Sequence, residues 1–414
     1  MIRVSRGHAT ACHRPALWQS CAPATRHACQ SHLVPASRVG DPTQTPTTRP
    51  LLMNTRLQAT LALGQHLWLD NLSRELMQSG QLAQWIADGV QGITTNPAIF
   101  QKAISSGAGY AEDLARLRAS GIDAEARYEA LAIADVQQAC DALAARHRDS
   151  RGDAGWVSLE VSPQLAHDAA GTVAAAARLS DAVARPNLLI KIPSTPAGRE
   201  ALTEATARGI NVNMTLIFSL QQAVETAKSW AMGARRWIAN GGDPAHLYSV
   251  ASVFLSRVDT VVDPLLEAHG SAEALALRGR CAIFMARLCY QRYLDLFGRN
   301  SHPATFGDLI EAGVRPQRLL WASTGTKNPN YSDTLYVDSL IGAHTVNTVP
   351  EATLRAFADH GTAAATLVAG IPEAEAALLA LKAFGIDLSA IGERLQKDGL
   401  VAFEQAYAQI LETV

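Results

Sequence analysis

From residue 64 onward, short apolar runs rich in β-branched residues alternate with longer amphipathic segments, and no other feature constrains the fold of this chain as tightly. Parallel strands cannot be joined by a tight turn. Each needs a crossover of about a dozen residues or more, usually a helix. One unit shows the whole pattern. Leu188-Leu189-Ile190-Lys191-Ile192-Pro193 reads as a buried strand that stops at proline. Ser194 and Thr195 then offer capping hydroxyls, with Pro196 near the first helical position. Residues 200–205 are good helix formers, Gly209 is placed to end the helix, and residues 210–217 form the next strand.

The same criteria predict strands at residues 66–70, 90–95, 156–161, 247–254, 318–323 and 344–348, making eight in all. Eight strands separated mostly by helical segments predict an α/β fold, a closed (β/α)8 TIM barrel of about 250 residues plus insertions. Residues 98–155 and 256–317 should carry extra helices. The residues from Glu373 onward should form a C-terminal helical extension packed on the outside of the barrel. An open doubly wound sheet more often shows a GxGxxG turn after its first strand, and this sequence has none.

Composition narrows the function classes. With 414 residues and 48% hydrophobic content, the chain can bury a core of the size a barrel requires. A formal net charge of −2 removes the electrostatic footprint of a nucleic-acid binder. No stretch approaches eighteen uncharged apolar residues, so no membrane span is expected. The six cysteines, at 12, 21, 29, 140, 281 and 289, form no CxxC pair, which argues against a zinc knuckle or a thioredoxin-like site. Scattered thiols fit the reducing cytoplasm.

Residues 1–52 differ in kind. Their Lys/Arg-type charges are all arginines, Asp41 is their sole acid, and no apolar period is sustained. Three readings fit: a disordered segment, an organelle transit peptide, or translation that starts at Met53. None gives the segment a chemical role, so the functional domain is expected at residues 53–414.

The chemistry should reside in polar residues near the C-terminal ends of the barrel strands. In strand order these are Asp70; Thr94, Thr95 and Asn96, before Pro97; Glu160; Lys191; Asn213 and Thr215; Ser252, with Arg257 close behind; and Ser323. Taken singly, most have an ordinary structural explanation: a strand Asp can cap a loop, and Thr-Asn-Pro is a common turn. Lys191 is harder to explain, because burying an ammonium is costly unless it is paired or neutralised. Burial also favours the neutral, nucleophilic form of an amine, which imine chemistry needs. On these grounds Lys191 is either a catalytic amine or half of a buried ion pair.

Six segments together carry a specific resemblance. They are Leu67-Trp68-Leu69-Asp70, Gly92-Ile93-Thr94-Thr95-Asn96-Pro97, Val157-Ser158-Leu159-Glu160-Val161, Leu189-Ile190-Lys191-Ile192-Pro193, Ile210-Asn211-Val212-Asn213-Met214-Thr215-Leu216 and Trp321-Ala322-Ser323-Thr324-Gly325. In this order they resemble the motifs of the transaldolases. The resemblance extends from about residue 60 to the C-terminus.

It implies an enzyme that transfers a dihydroxyacetone unit between sugar phosphates through a Schiff base on Lys191. Asp70 would move the proton of the hydroxyl next to the breaking carbon–carbon bond. Glu160 and Thr215 would hold a water for imine formation and hydrolysis. Thr94, Asn96, Asn213, Ser252 and Ser323 would line the substrate site, and Arg257 would clamp a phosphate. No metal or cofactor is implied, since the imine itself polarises the carbonyl carbon.

One departure stands out. Many transaldolases carry a second arginine two residues after the Ala-Ser pair of the seventh strand, where this chain has Gly325; Lys327 follows two residues later and is the candidate replacement. Two alternatives remain: an aldolase on the same barrel that cleaves fructose 6-phosphate and releases free dihydroxyacetone, and a non-catalytic sugar-phosphate-binding barrel. Sugar phosphates are the expected partners, and the chain is expected to act as a monomer or homodimer.

Overall fold

The computed structural model describes residues 54–107, 109–298 and 305–414; the expectation for residues 1–52 lies outside them. Its centre is a closed parallel barrel in the strand order β1-β2-β3-β4-β5-β6-β7-β8. The strands are β1 Gln65–Leu69, β2 Gly92–Ile93, β3 Trp156–Glu160, β4 Leu188–Pro193, β5 Val212–Ile217, β6 Ser249–Phe254, β7 Arg318–Ala322 and β8 Thr345–Val349. Closure runs through five paired positions, from Gln65 opposite Thr345 to Leu69 opposite Val349. Each expected strand is present, with ends shifted; the largest change is β2, which keeps only Gly92–Ile93 of the expected residues 90–95. His344 (φ 59°) and Ser323 (φ 54°) adopt the left-handed conformation, so β8 starts one residue late and β7 stops at Ala322. At the start of β5 the Asn211 side chain accepts a bond from the Tyr248 amide, and the strand proper begins at Val212.

Both insertions are helical, as expected. The first holds helices Pro97–Ser105, Ala111–Ala119 and Ala124–Asp149, and the second includes Ser256–His269 and Cys281–Phe297. Helix Pro97–Ser105 starts where the sequence says it should: the Asn96 side chain accepts from the Ile99 amide, and Pro97 occupies the first position.

The C-terminal extension departs from expectation. Helix Ile371–Ala383 does pack outside, against Cys281–Phe297. The last helix, Leu388–Thr413, instead crosses the end of the barrel where the strands finish, touching β5, Pro97–Ser105 and Ser256–His269. Its buried stripe is Leu395, Leu400, Phe403, Tyr407 and Ile410, with Phe403 over the barrel cavity and Tyr407 against Tyr128 of helix Ala124–Asp149. Two glycines let the helix backbone approach closely. A Cβ on Gly392 would lie 2.9 Å from Ser219 Cβ and 3.0 Å from Phe218 O; on Gly399 it would lie 3.0 Å from Leu216 Cδ2. The Gln396 amide then donates to Leu216 O at 2.9 Å and Ser194 O at 3.0 Å. Leu216 is left-handed (φ 58°) beside the β5–β6 register shift, which places its carbonyl off the ladder and within reach of Gln396.

Candidate active site

Under the last helix lies a cavity of about 140 Å³, lined by Asp70, Thr94, Asn96, Lys191, Thr215, Ser252, Arg257 and Ser323, with Ala98, Phe254, Ala322, Thr348 and Phe403. Eight of the candidate residues from eight separate sequence positions thus converge on one space at the C-terminal ends of the strands, as barrel geometry requires.

Register sets the central pair. Glu160 stands opposite Lys191 across β3–β4, and both side chains point inward. Lys191 Nζ donates to Glu160 Oε2 at 3.0 Å and to the Thr95 carbonyl at 2.9 Å, with only 5% of the lysine side chain exposed. Burial pushes the Glu160 carboxyl above the usual range, and the Lys191 charge opposes that rise. Glu160 Oε1 and Thr215 Oγ1 have no partner among the described residues. The Glu160 carboxylate adjoins the amine and Thr215 lines the same cavity as Lys191, although Glu160 itself does not line that cavity.

Asp70 follows β1, and its amide is anchored on the Val349 carbonyl. Its Oδ1 accepts from Thr94 Oγ at 2.7 Å, and Thr94 in turn meets Thr348 Oγ at 2.5 Å. Burial raises the Asp70 carboxyl too, opposed first by Lys191 and then by the Thr94 hydrogen bond. A carboxylate raised in this way is a better base.

Arg257, at the start of helix Ser256–His269, points its guanidinium over the Phe254 ring at 5.7 Å. Burial draws its pKa down, and no carboxylate pairs with it among the described residues. A half-buried cation that lacks its own counterion is a ready anion site.

The remaining candidates divide. Ser323 lines the cavity in its left-handed conformation, with its hydroxyl 2.9 Å from Ser256 Oγ. Asn213 does not line it: fully buried, it donates to Ser158 Oγ at 3.0 Å and accepts from Ser252 Oγ at 2.7 Å. It holds Ser252 from below. Lys327 is not in the cavity either. It is exposed and lines a neighbouring cleft with Asp259, Asp263, Glu267 and Tyr331, apart from the cavity that Arg257 lines.

Residues 67–414 match the sequence signature of the family described as transaldolase/fructose-6-phosphate aldolase. The chain belongs to that family. Among its curated transaldolase relatives, a protein of Neisseria meningitidis serogroup C is 50% identical over 357 residues, covering 86% of this chain and 99% of its own length. One from Thiobacillus denitrificans is 50% identical over 353 residues (85% and 97%), and one from Mycobacterium marinum 45% over 361 residues (87% and 96%).

Sequence reasoning missed five lining residues, two of them the small Ala98 and Ala322, which offer no polar signal to find them by. Thr348 ends an expected strand and could have been found by the rule that located Asp70. Phe254 looked like an ordinary apolar strand residue. Phe403 carried only a helical period, which says that a face is buried but not against what.

Proposed function

We propose that the protein is a transaldolase, moving a dihydroxyacetone unit from sedoheptulose 7-phosphate to glyceraldehyde 3-phosphate to give erythrose 4-phosphate and fructose 6-phosphate. The observation that carries this reading is a buried amine, Lys191 Nζ, 3.0 Å from the Glu160 carboxylate in a cavity that also holds a free guanidinium.

The Glu160 carboxyl accepts the proton that leaves the amine, and neutral Nζ attacks the ketose carbonyl. A water held by Glu160 and Thr215 returns that proton to the carbinolamine hydroxyl, which leaves as water to give the protonated imine. Asp70, aimed by Thr94, takes the proton of the hydroxyl beside the scissile bond. The aldehyde leaves, and the electron pair is held as an enamine on Lys191. Return of the proton from Asp70 accompanies attack on the acceptor aldehyde. Arg257 binds the substrate phosphate. Ser252 and Asn96 hold the hydroxyls of the three-carbon unit, and Asn213 positions Ser252.

Buried free thiols at Cys140, Cys281 and Cys289 support a reducing, cytoplasmic location. A monomer or homodimer is proposed, to be measured by light scattering. The decisive experiment is borohydride reduction with fructose 6-phosphate: a stable adduct on Lys191 is expected, and an adduct on Lys327 would refute the assignment. Turnover that depends on an acceptor marks a transaldolase; equal cleavage without one would mark the aldolase activity.

A further inference from the structure

The cavity has one wall drawn from the far end of the chain. Apart from Phe254 and Phe403 its lining is polar or small, and Phe403 lies 212 positions beyond Lys191 yet has its ring centroid 5.6 Å from Lys191 Nζ. Phe403 is 5% exposed, and the helix that carries it is fixed on both sides. Before it, Gln396 is bonded to Ser194 and Leu216, and Gly399 sits against Leu216 and near the Arg257 guanidinium. One turn after it, Tyr407 OH donates to Glu125 at 2.8 Å. The helix is therefore anchored before and after the ring, and the ring lies over the amine; the one other aromatic residue of the lining is Phe254, at the end of β6.

We propose that Phe403 determines the fate of the bound three-carbon unit, its ring keeping water off the carbon attached to Lys191 so that the unit waits for an aldehyde acceptor. The competing reaction is hydrolysis. The enamine carbon takes up a proton to give the imine, water adds to the imine carbon, the carbon–nitrogen bond breaks, and dihydroxyacetone leaves with the amine restored. Water is the only co-reactant, and its access to the carbon sets the rate. An apolar ring excludes it without adding an acid or base. The proposal rests on the imine forming at Lys191.

The test compares Phe403→Leu and Phe403→Ala with the unaltered protein in two assays. One follows transfer from fructose 6-phosphate to erythrose 4-phosphate. The other follows dihydroxyacetone released from fructose 6-phosphate with no acceptor present. Ile410→Ala serves as control, because Ile410 is fully buried on the same helix but does not line the cavity. The ratio of release to transfer should rise about ten-fold or more in Phe403→Ala, the scale on which one apolar group alters discrimination in a pocket, and less in Phe403→Leu. Ile410→Ala should leave the ratio unchanged. Release and transfer falling together in both Phe403 variants would overturn the proposal, as would an equal rise in Ile410→Ala. Borohydride trapping separates the two levels of the argument: a missing Lys191 adduct in the unaltered protein refutes the imine, whereas an intact adduct with an unmoved ratio refutes the role of Phe403.

Discussion

Lys191 and Arg257 meet the cost of burying a cation in opposite ways. Lys191 has Glu160 beside it at 3.0 Å; Arg257 has no carboxylate among the described residues. Lys191→Arg keeps the charge but cannot form an imine, so turnover and the borohydride adduct should both vanish while circular dichroism stays unchanged. On the proposed phosphate role, Arg257→Ala would remove a charge-assisted contact worth about 1.5–3 kcal/mol, so KM for phosphorylated sugars should rise about ten- to hundred-fold. Lys327→Ala should leave that KM unchanged, because Lys327 lines a neighbouring cleft and not the cavity; a rise comparable to that of Arg257→Ala would place it in the clamp after all. Asp70 permits a pH test. Its carboxyl is raised in the folded state, so folded protein holds a proton that unfolded chain releases, and stability falls as pH rises through that window. Asp70→Asn should therefore be inactive yet melt higher than the parent at pH 7. The gap should close as pH falls toward about 4, where the unfolded carboxyl is also protonated. A gap that widens on acidification would contradict this.

Among the elements, the last helix departs most from what its sequence announces. Glycine inside a helix costs about 0.5–1 kcal/mol relative to alanine, so two of them on one face call for a reason. Close approach supplies it, though not equally. The neighbours of Gly399 are the ends of two flexible side chains, Leu216 at 3.0 Å and Arg257 at 3.4 Å, whereas Gly392 abuts the Phe218 carbonyl and Ser219 Cβ near 3 Å. Gly399→Ala should be tolerated, its helix propensity offsetting a small shift of Leu216. Gly392→Ala should lower the melting temperature by several degrees, because backbone cannot yield, and should loosen the helix over the cavity. Thermal denaturation of the two variants side by side checks this, and equal melting temperatures would show that the approach at Gly392 is not what holds the helix. β5 makes the complementary sacrifice, since the left-handed Leu216 gives up regular pairing and its carbonyl receives Gln396.

At the scale of the whole molecule, the matched region and the described barrel coincide. The Neisseria meningitidis relative is covered over 99% of its length by 86% of this chain, and the family match begins at residue 67. A chain starting at Met53 should accordingly keep both activity and melting temperature; a loss of several degrees would show that the preceding residues contribute to the barrel. The sequence by itself determined the eight strands and the polar residues at their ends, because strand periodicity, proline stops and helix caps are local and survive without tertiary context. It also singled out Lys191, since a charge inside an apolar strand is anomalous wherever the strand lies. Only the tertiary structure decided which neighbours those residues meet. It put Asn213 below the cavity as the support of Ser252, sent Lys327 to an acidic cleft, and carried Phe403 from the far end of the chain to the face of Lys191. A helical period states that a face will be buried. The surface that buries it is fixed by packing between residues far apart in the chain, which no local pattern encodes.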